Sequence, residues 1–209
     1  MATLVQQQFS NIYGTNVTAG NLLIVCAATG FPGDTLGISD TLGSTWNSLC
    51  GNLTSGNLTA RAWYAMNSGS GANTITVTAS GGVDYCTYEV SGCKTSGALD
   101  ATNAAAGATA NGTSGTITVG GAGYLFGFIA NDSGNITLAA PFTERAVGTN
   151  NVRNDSGDNT VTNSGTVECT STFGARNWVS VVVNFLDAAG GATSAGPYLT
   201  TRNLRARAI

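Results

Sequence analysis

No histidine occurs among the 209 residues, and lysine occurs once, at Lys94. Histidine is the side chain that most readily exchanges a proton near neutral pH, so its absence removes Ser-His-Asp and Cys-His catalysis and every histidine-ligated zinc site. An enzyme would have to work with a carboxylate pair or a carboxylate metal site drawn from eleven Asp and Glu. Proline is nearly absent too. Pro32, Pro141 and Pro197 each fall in an expected connection, which spares the strands the loss of an N–H donor. Nothing approaches the ~20 apolar residues of a membrane span. The opening MATLVQQQFSNIYG lacks the basic start and apolar run of a signal peptide, so synthesis in a cytoplasm is expected.

Charge is scarce as well. Only 9% of residues are Asp, Glu, Lys or Arg, and the formal net charge is −3. Residues 1–187 hold all eleven acids against five bases, a net −6, whereas the remainder carries only Arg202, Arg205 and Arg207, a net +3. An acidic body without clustered bases disfavours nucleic acid as a partner. The five cysteines, Cys26, Cys50, Cys86, Cys93 and Cys169, are an odd number without zinc-type CxxC spacing. Along a continuous strand Cys86 and Cys93 would stand about 23 Å apart, far beyond the ~7 Å limit for a disulfide. They read as buried free thiols.

What is present is period-two alternation, with 29 glycines and many Asn and Ser residues between short Thr, Val and Ile segments. LLIVCAA, Leu22 to Ala28, reads as a central strand. From Leu58 to Met66 the side chains divide between two faces, and Ile75 and Val77 alternate with Thr74, Thr76 and Thr78. Thr116 to Val119 repeats that pattern. Further strands are expected over 36–40, 83–90, 124–130, 142–147, 167–173 and 178–186. Ten to twelve such strands predict an all-β, two-layer antiparallel sandwich, jelly-roll or Ig-like, over residues 1–187. Two stretches read as irregular: Gly97 to Gly115, and Gly148 to Asn159.

Residues 188–209 have no strand pattern and read as a linker followed by a basic arm. Tyr198, Leu199, Leu204 and Ile209 offer apolar anchors and Arg202, Arg205 and Arg207 offer charge, so the arm is expected to dock on another protein chain. The alternative is an arm folded back on its own body.

The succession VTAGNLLIVCAATG, ISDTLGSTWNSL, ARAWYAMNSGSGANTITVTAS, YEVSGCKTSGALD, SGTITVGGAGYLFGFIA and RNWVSVVVNFLDA, over about residues 16–187, resembles a β-sandwich module of bacteriophage virion proteins and bacterial extracellular proteins. The resemblance implies a sandwich fold and no catalytic residues. With the composition, it leads us to expect a non-enzymatic, oligomeric structural protein of a tailed-phage virion, a capsid decoration or head-fibre subunit assembled in the host cytoplasm. Its expected partners are other virion proteins, the capsid shell or neighbouring copies, with no membrane and no cofactor. The rival expectation is an extracellular lectin or adhesin holding host glycan, or a tail component.

Individual motifs carry structural expectations. Asp40 to Trp46 reads as a hairpin in which Asp40 caps the turn and Gly43 supplies a positive φ. Trp46, Trp63 and Trp178 read as core residues before they read as a sugar platform. The acids of Asn154 to Asn159, NDSGDN, concentrate oxygen ligands but lack the EF-hand spacing, so a solvated Asx-rich turn is expected there and no metal. Asp84 and Glu89, five apart on one strand, should point to opposite faces.

Overall fold

The computed structural model describes residues 1–148, 153–161 and 165–188. The residues expected to dock, Tyr198, Leu199, Arg202, Leu204, Arg205, Arg207 and Ile209, lie outside them. In chain order the strands are β1 (Thr3–Gln8), β2 (Leu22–Thr29), β3 (Gly37–Asp40), β4 (Asn47–Ser48), β5 (Leu53–Ser55), β6 (Leu58–Ala65), β7 (Ile75–Thr78), β8 (Val83–Ser91) and β9 (Leu99–Gly107). They continue with β10 (Asn111–Thr113), β11 (Ile117–Val119), β12 (Gly123–Asn131), β13 (Thr143–Gly148), β14 (Arg153–Val161), β15 (Gly165–Val167), β16 (Thr170–Thr172) and β17 (Trp178–Leu186). Among the described residues there is no helix.

Two large sheets form the sandwich. One runs β1-β8-β2-β6-β4, with β5 also on β6, and the other runs β13-β14-β12-β17-β9; every pairing is antiparallel. Alternation sends Leu22, Ile24, Cys26 and Ala28 of β2 inward, against Phe126 and Phe128 of β12 and Val181, Val183 and Phe185 of β17. Two aromatic pairs join the sheets, Tyr88 with Phe126 at 4.9 Å between ring centroids and Tyr64 with Phe185 at 5.2 Å. Each such pair adds roughly 1 kcal/mol beyond the area it buries.

The outer faces are covered too, which the two-layer expectation did not include. Leu23, Val25, Ala27 and Trp63 pack under Tyr13, Val17, Leu36, Ile75 and Val77, brought there by the two-stranded sheet β3-β7 and the chain before β2. Leu125, Ile129, Trp178 and Val182 pack under Ile117, Val119, Ile136, Leu138, Phe142 and Phe173, around the small sheets β10-β16 and β11-β15. Burial on both faces is why β2 and β12 are buried at every residue. An unbroken apolar run is the sequence form of such a strand.

Several expectations need correction. Gly97 to Gly115 is not irregular: it contains β9 and β10, and Ala104, Ala105 and Ala106 of β9 are half-buried on the edge of the second sheet. Small side chains bury too little area each to give an alternating signal. The seventeen strands among the described residues exceed the ten to twelve expected, because 167–173 is divided between β15 and β16 and because short strands such as β4 and β5 join the sheets. The turn after β3 forms as expected, with Asp40 accepting from Ser44 N at 2.8 Å and Gly43 at φ 67°. It does not close a hairpin, however. Asn73 Nδ2 donates to Asp40 at 2.9 Å and β3 pairs with β7, so the chain beyond Trp46 leaves for β6.

The largest correction concerns Gly148 to Asn159, most of which is β14, an interior strand between β12 and β13. Glycine permits it. Gly157 lies opposite Gly127, and a Cβ on Gly157 would stand 2.9 Å from both Leu138 Cδ1 and the Thr143 carbonyl, while one on Gly127 would stand 2.8 Å from the Phe142 ring. Gly157→Ala is therefore expected to destabilise the fold by about 1–3 kcal/mol, read as a lowered midpoint in chemical denaturation.

Candidate functional site

Strand β14 carries polar side chains to both of its faces. Facing the sandwich core, Ser156 Oγ accepts from the Cys86 thiol at 2.9 Å and lies 2.9 Å from the Tyr88 hydroxyl, and Tyr88 is fully buried. Two residues along, Asp158 is 2% exposed and receives the Tyr124 hydroxyl on Oδ2. Arg145, on β13, donates Nε to Asp158 Oδ1 at 2.9 Å, and its Nη2 donates to the same oxygen. Burial, then the neighbouring Asp158 carboxylate, pushes the Tyr124 phenol far above its ordinary value. Tyr124 is thus a fixed donor. The bonds to Asp158 in turn hold the Arg145 guanidinium charged.

This trio forms the floor of a cavity of about 360 Å³ at one side of the sandwich, where β1, the edge of the first sheet, faces β14 of the second; Thr3, Leu4, Asn159 and Thr160 are among its other lining residues. The position follows from topology. Edge strands leave the gap between two sheets open, and here an ion pair between the buried Asp158 and the solvent-accessible Arg145 lines that gap.

On the other face of β14, Asp155 is fully buried, opposite Ile129 of the outer cluster. Burial, reinforced by the nearby Glu144 carboxylate, pushes its carboxyl up to about 8. The reading of NDSGDN as a solvated turn is thereby overturned, since Asn154, Asp155, Ser156 and Asp158 are all buried. Among the described residues no group of three or more Cys, Asp or Glu is placed to hold a metal ion.

Other acids tie the chain to itself. Glu89 is fully buried and accepts from Asn21 Nδ2 at 2.6 Å, Thr18 N at 2.8 Å and Gln6 Nε2 at 2.5 Å. Asp34 accepts from Ser80 N at 2.9 Å, Asp100 from Gly120 N at 2.8 Å and Asn184 Nδ2 at 2.9 Å, and Asp187 from Ala2 N at 2.6 Å. Asp84 and Glu89 stand on β8 with opposite parity, as expected.

The tryptophans do not form a platform. Trp63 is 3% exposed in the cluster outside the first sheet, with Trp46 beside it, while Trp178 is 5% exposed in the cluster outside the second. All five cysteines are free thiols, Cys50 half-buried and the others buried. Burial raises each of them, Cys93 and Cys169 to about 12, which suppresses thiolate chemistry.

The Tyr124–Asp158–Arg145 floor was missed in the sequence because its members lie on three strands and β14 has no apolar alternation. No family model, curated protein or solved structure matches the chain.

The buried Asp155 makes stability depend on pH. The folded chain keeps this proton up to about pH 8, whereas an unfolded aspartate releases it near pH ~3.9. Stability is therefore expected to fall as pH rises across that window, by up to about 1.4 kcal/mol per unit. Asp155→Asn should flatten the slope in denaturant titrations taken at a series of pH values.

Proposed function

We propose that this chain is a non-enzymatic structural subunit of a tailed-phage virion, a capsid decoration or head-fibre protein that docks through residues 198–209 on the shell or on neighbouring copies. The observation that carries the reading is the use made of the acids. Glu89, Asp34, Asp40, Asp100, Asp158 and Asp187 join segments far apart in the chain through hydrogen bonds. A catalytic carboxylate has to present a lone pair or a proton to a substrate. These instead brace a body whose two large sheets are packed on both faces, a construction suited to a building block. The phage-module resemblance, the net −6 of residues 1–187 and the net +3 beyond them support the same assignment.

The arm would contribute by burying its apolar side chains in a partner while its arginines meet carboxylates, over an interface of roughly 1,000 Å² or more in total. A chain ending at Ala188 is expected to keep the melting temperature of the full chain but to lose self-association in sedimentation velocity and decoration of empty phage capsids. Unchanged assembly by the shortened chain would remove the arm from the account. Turnover of a polysaccharide by the full chain would remove the non-enzymatic assignment.

A further inference from the structure

We propose that the cleft between β1 and β14 binds a neutral saccharide of one or two rings. The proposal stands apart from the assembly role and rests on what the cleft presents. Its floor is an ion pair, Asp158 with Arg145, completed by the Tyr124 hydroxyl. A pair with one buried member is weak evidence of stabilisation, since the desolvation of the carboxylate offsets much of the attraction. Here the pair is also within reach of solvent, because the Arg145 side chain is 35% exposed while Asp158 is 2% exposed. Nε and one N–H of Nη2 of Arg145 are committed to Asp158, which leaves Nη1, among the described residues, as a donor for a bound molecule.

The walls complete the chemistry. Thr3 and Thr160 are exposed, and each hydroxyl can both donate and accept. The Asn159 side chain is turned to the backbone, donating to the Pro141 carbonyl at 2.8 Å and accepting from Thr160 N at 2.8 Å. Leu4 and Met1 supply an apolar side for the C–H face of a ring. The pair cancels its own charge and the Met1 ammonium on the wall lies 3.8 Å from the Asp187 carboxylate, so the cleft offers no uncommitted counter-ion to a cation or an anion, and the net −6 of residues 1–187 opposes an anion further. A ligand rich in hydroxyls, uncharged and apolar on one face meets all of these conditions. At about 360 Å³ the cavity is of a size for a mono- or disaccharide, near the lower end of the ~300–1,000 Å³ usual for small-ligand sites.

The test is saturation-transfer and amide-shift NMR on the full chain, with glucose, galactose, mannose, N-acetylglucosamine, lactose and maltose as probes and glucuronate as the charged control. At least one neutral sugar should show transfer and shift the amides of Ala2 to Leu4 and of Asn159 and Thr160, with a dissociation constant in the roughly millimolar range. Thr160→Trp, at an exposed position on the cleft wall, should keep the parent's melting temperature and weaken binding at least about tenfold, and Arg145→Met should weaken it similarly by removing the charged donor. Absence of transfer from every neutral sugar at tens of millimolar overturns the proposal. So does binding unchanged in a folded Thr160→Trp chain, or binding of glucuronate alone.

Discussion

A polar strand inside a sheet loses free energy for each group it withdraws from water without a partner, and β14 is such a strand: Ser156 and Asp158 are hydrogen-bonded, whereas the buried side chains of Asn154 and Asp155 find no partner among the described residues. Its NDSGDN core lies between β12 and β13 with apolar clusters on either side. An unpaired buried polar group costs about 1–3 kcal/mol, so the partners of β14 constrain much else. Ser156 fixes where Tyr88 and Cys86 stand across the sandwich. Asp158 draws Arg145 and Tyr124 together at the open side of the sandwich. Gly157 admits Phe142 and Leu138 against the strand, closing the outer cluster of the second sheet.

The same constraint links fold to function. Because Asp158 is tied to Tyr124 and Arg145, its position is set by the β12–β14 and β13–β14 registers and not by a loop. A cleft built in this way is held rigid by the sheets, which lowers the ordering cost of binding a weakly held ligand. Elsewhere the acids act as braces. Glu89 secures the chain before β2 to β8, and Asp187 fastens the start of β1 to the end of β17. A body braced in this manner fits the particle subunit proposed above, and the polar cleft beside β14 is where the proposed recognition would take place.

Much of the fold was legible where burial was one-sided or complete. Leu22 to Ala28 announces a central strand because seven apolar residues in succession can only be buried on both faces. Ile75 and Val77, or Ile117 and Val119, announce short strands buried on one face because their threonines face water. Legibility failed where side chains were small or polar. The alanines of β9 are half-buried but contribute little contrast with their neighbours. The residues of β14 have the composition of a turn, and their strand conformation depends on Tyr88, Tyr124 and Arg145, which are distant in sequence. The cleft was unreadable for the same reason, since no local spacing relates Asp158 to Tyr124. The second layer on each outer face was hidden because periodicity reports that a side chain is buried and not what buries it.

Amide hydrogen exchange along Asn154 to Asn159 tests most directly whether β14 is the buried strand on which this account depends. Interior ladder hydrogen bonds open only with the global unfolding of the sandwich. These amides are accordingly predicted to exchange as slowly as those of Phe126 to Phe128 on the neighbouring β12. Exchange at the rate of an exposed turn would contradict the buried strand, and with it the Tyr124–Asp158–Arg145 floor.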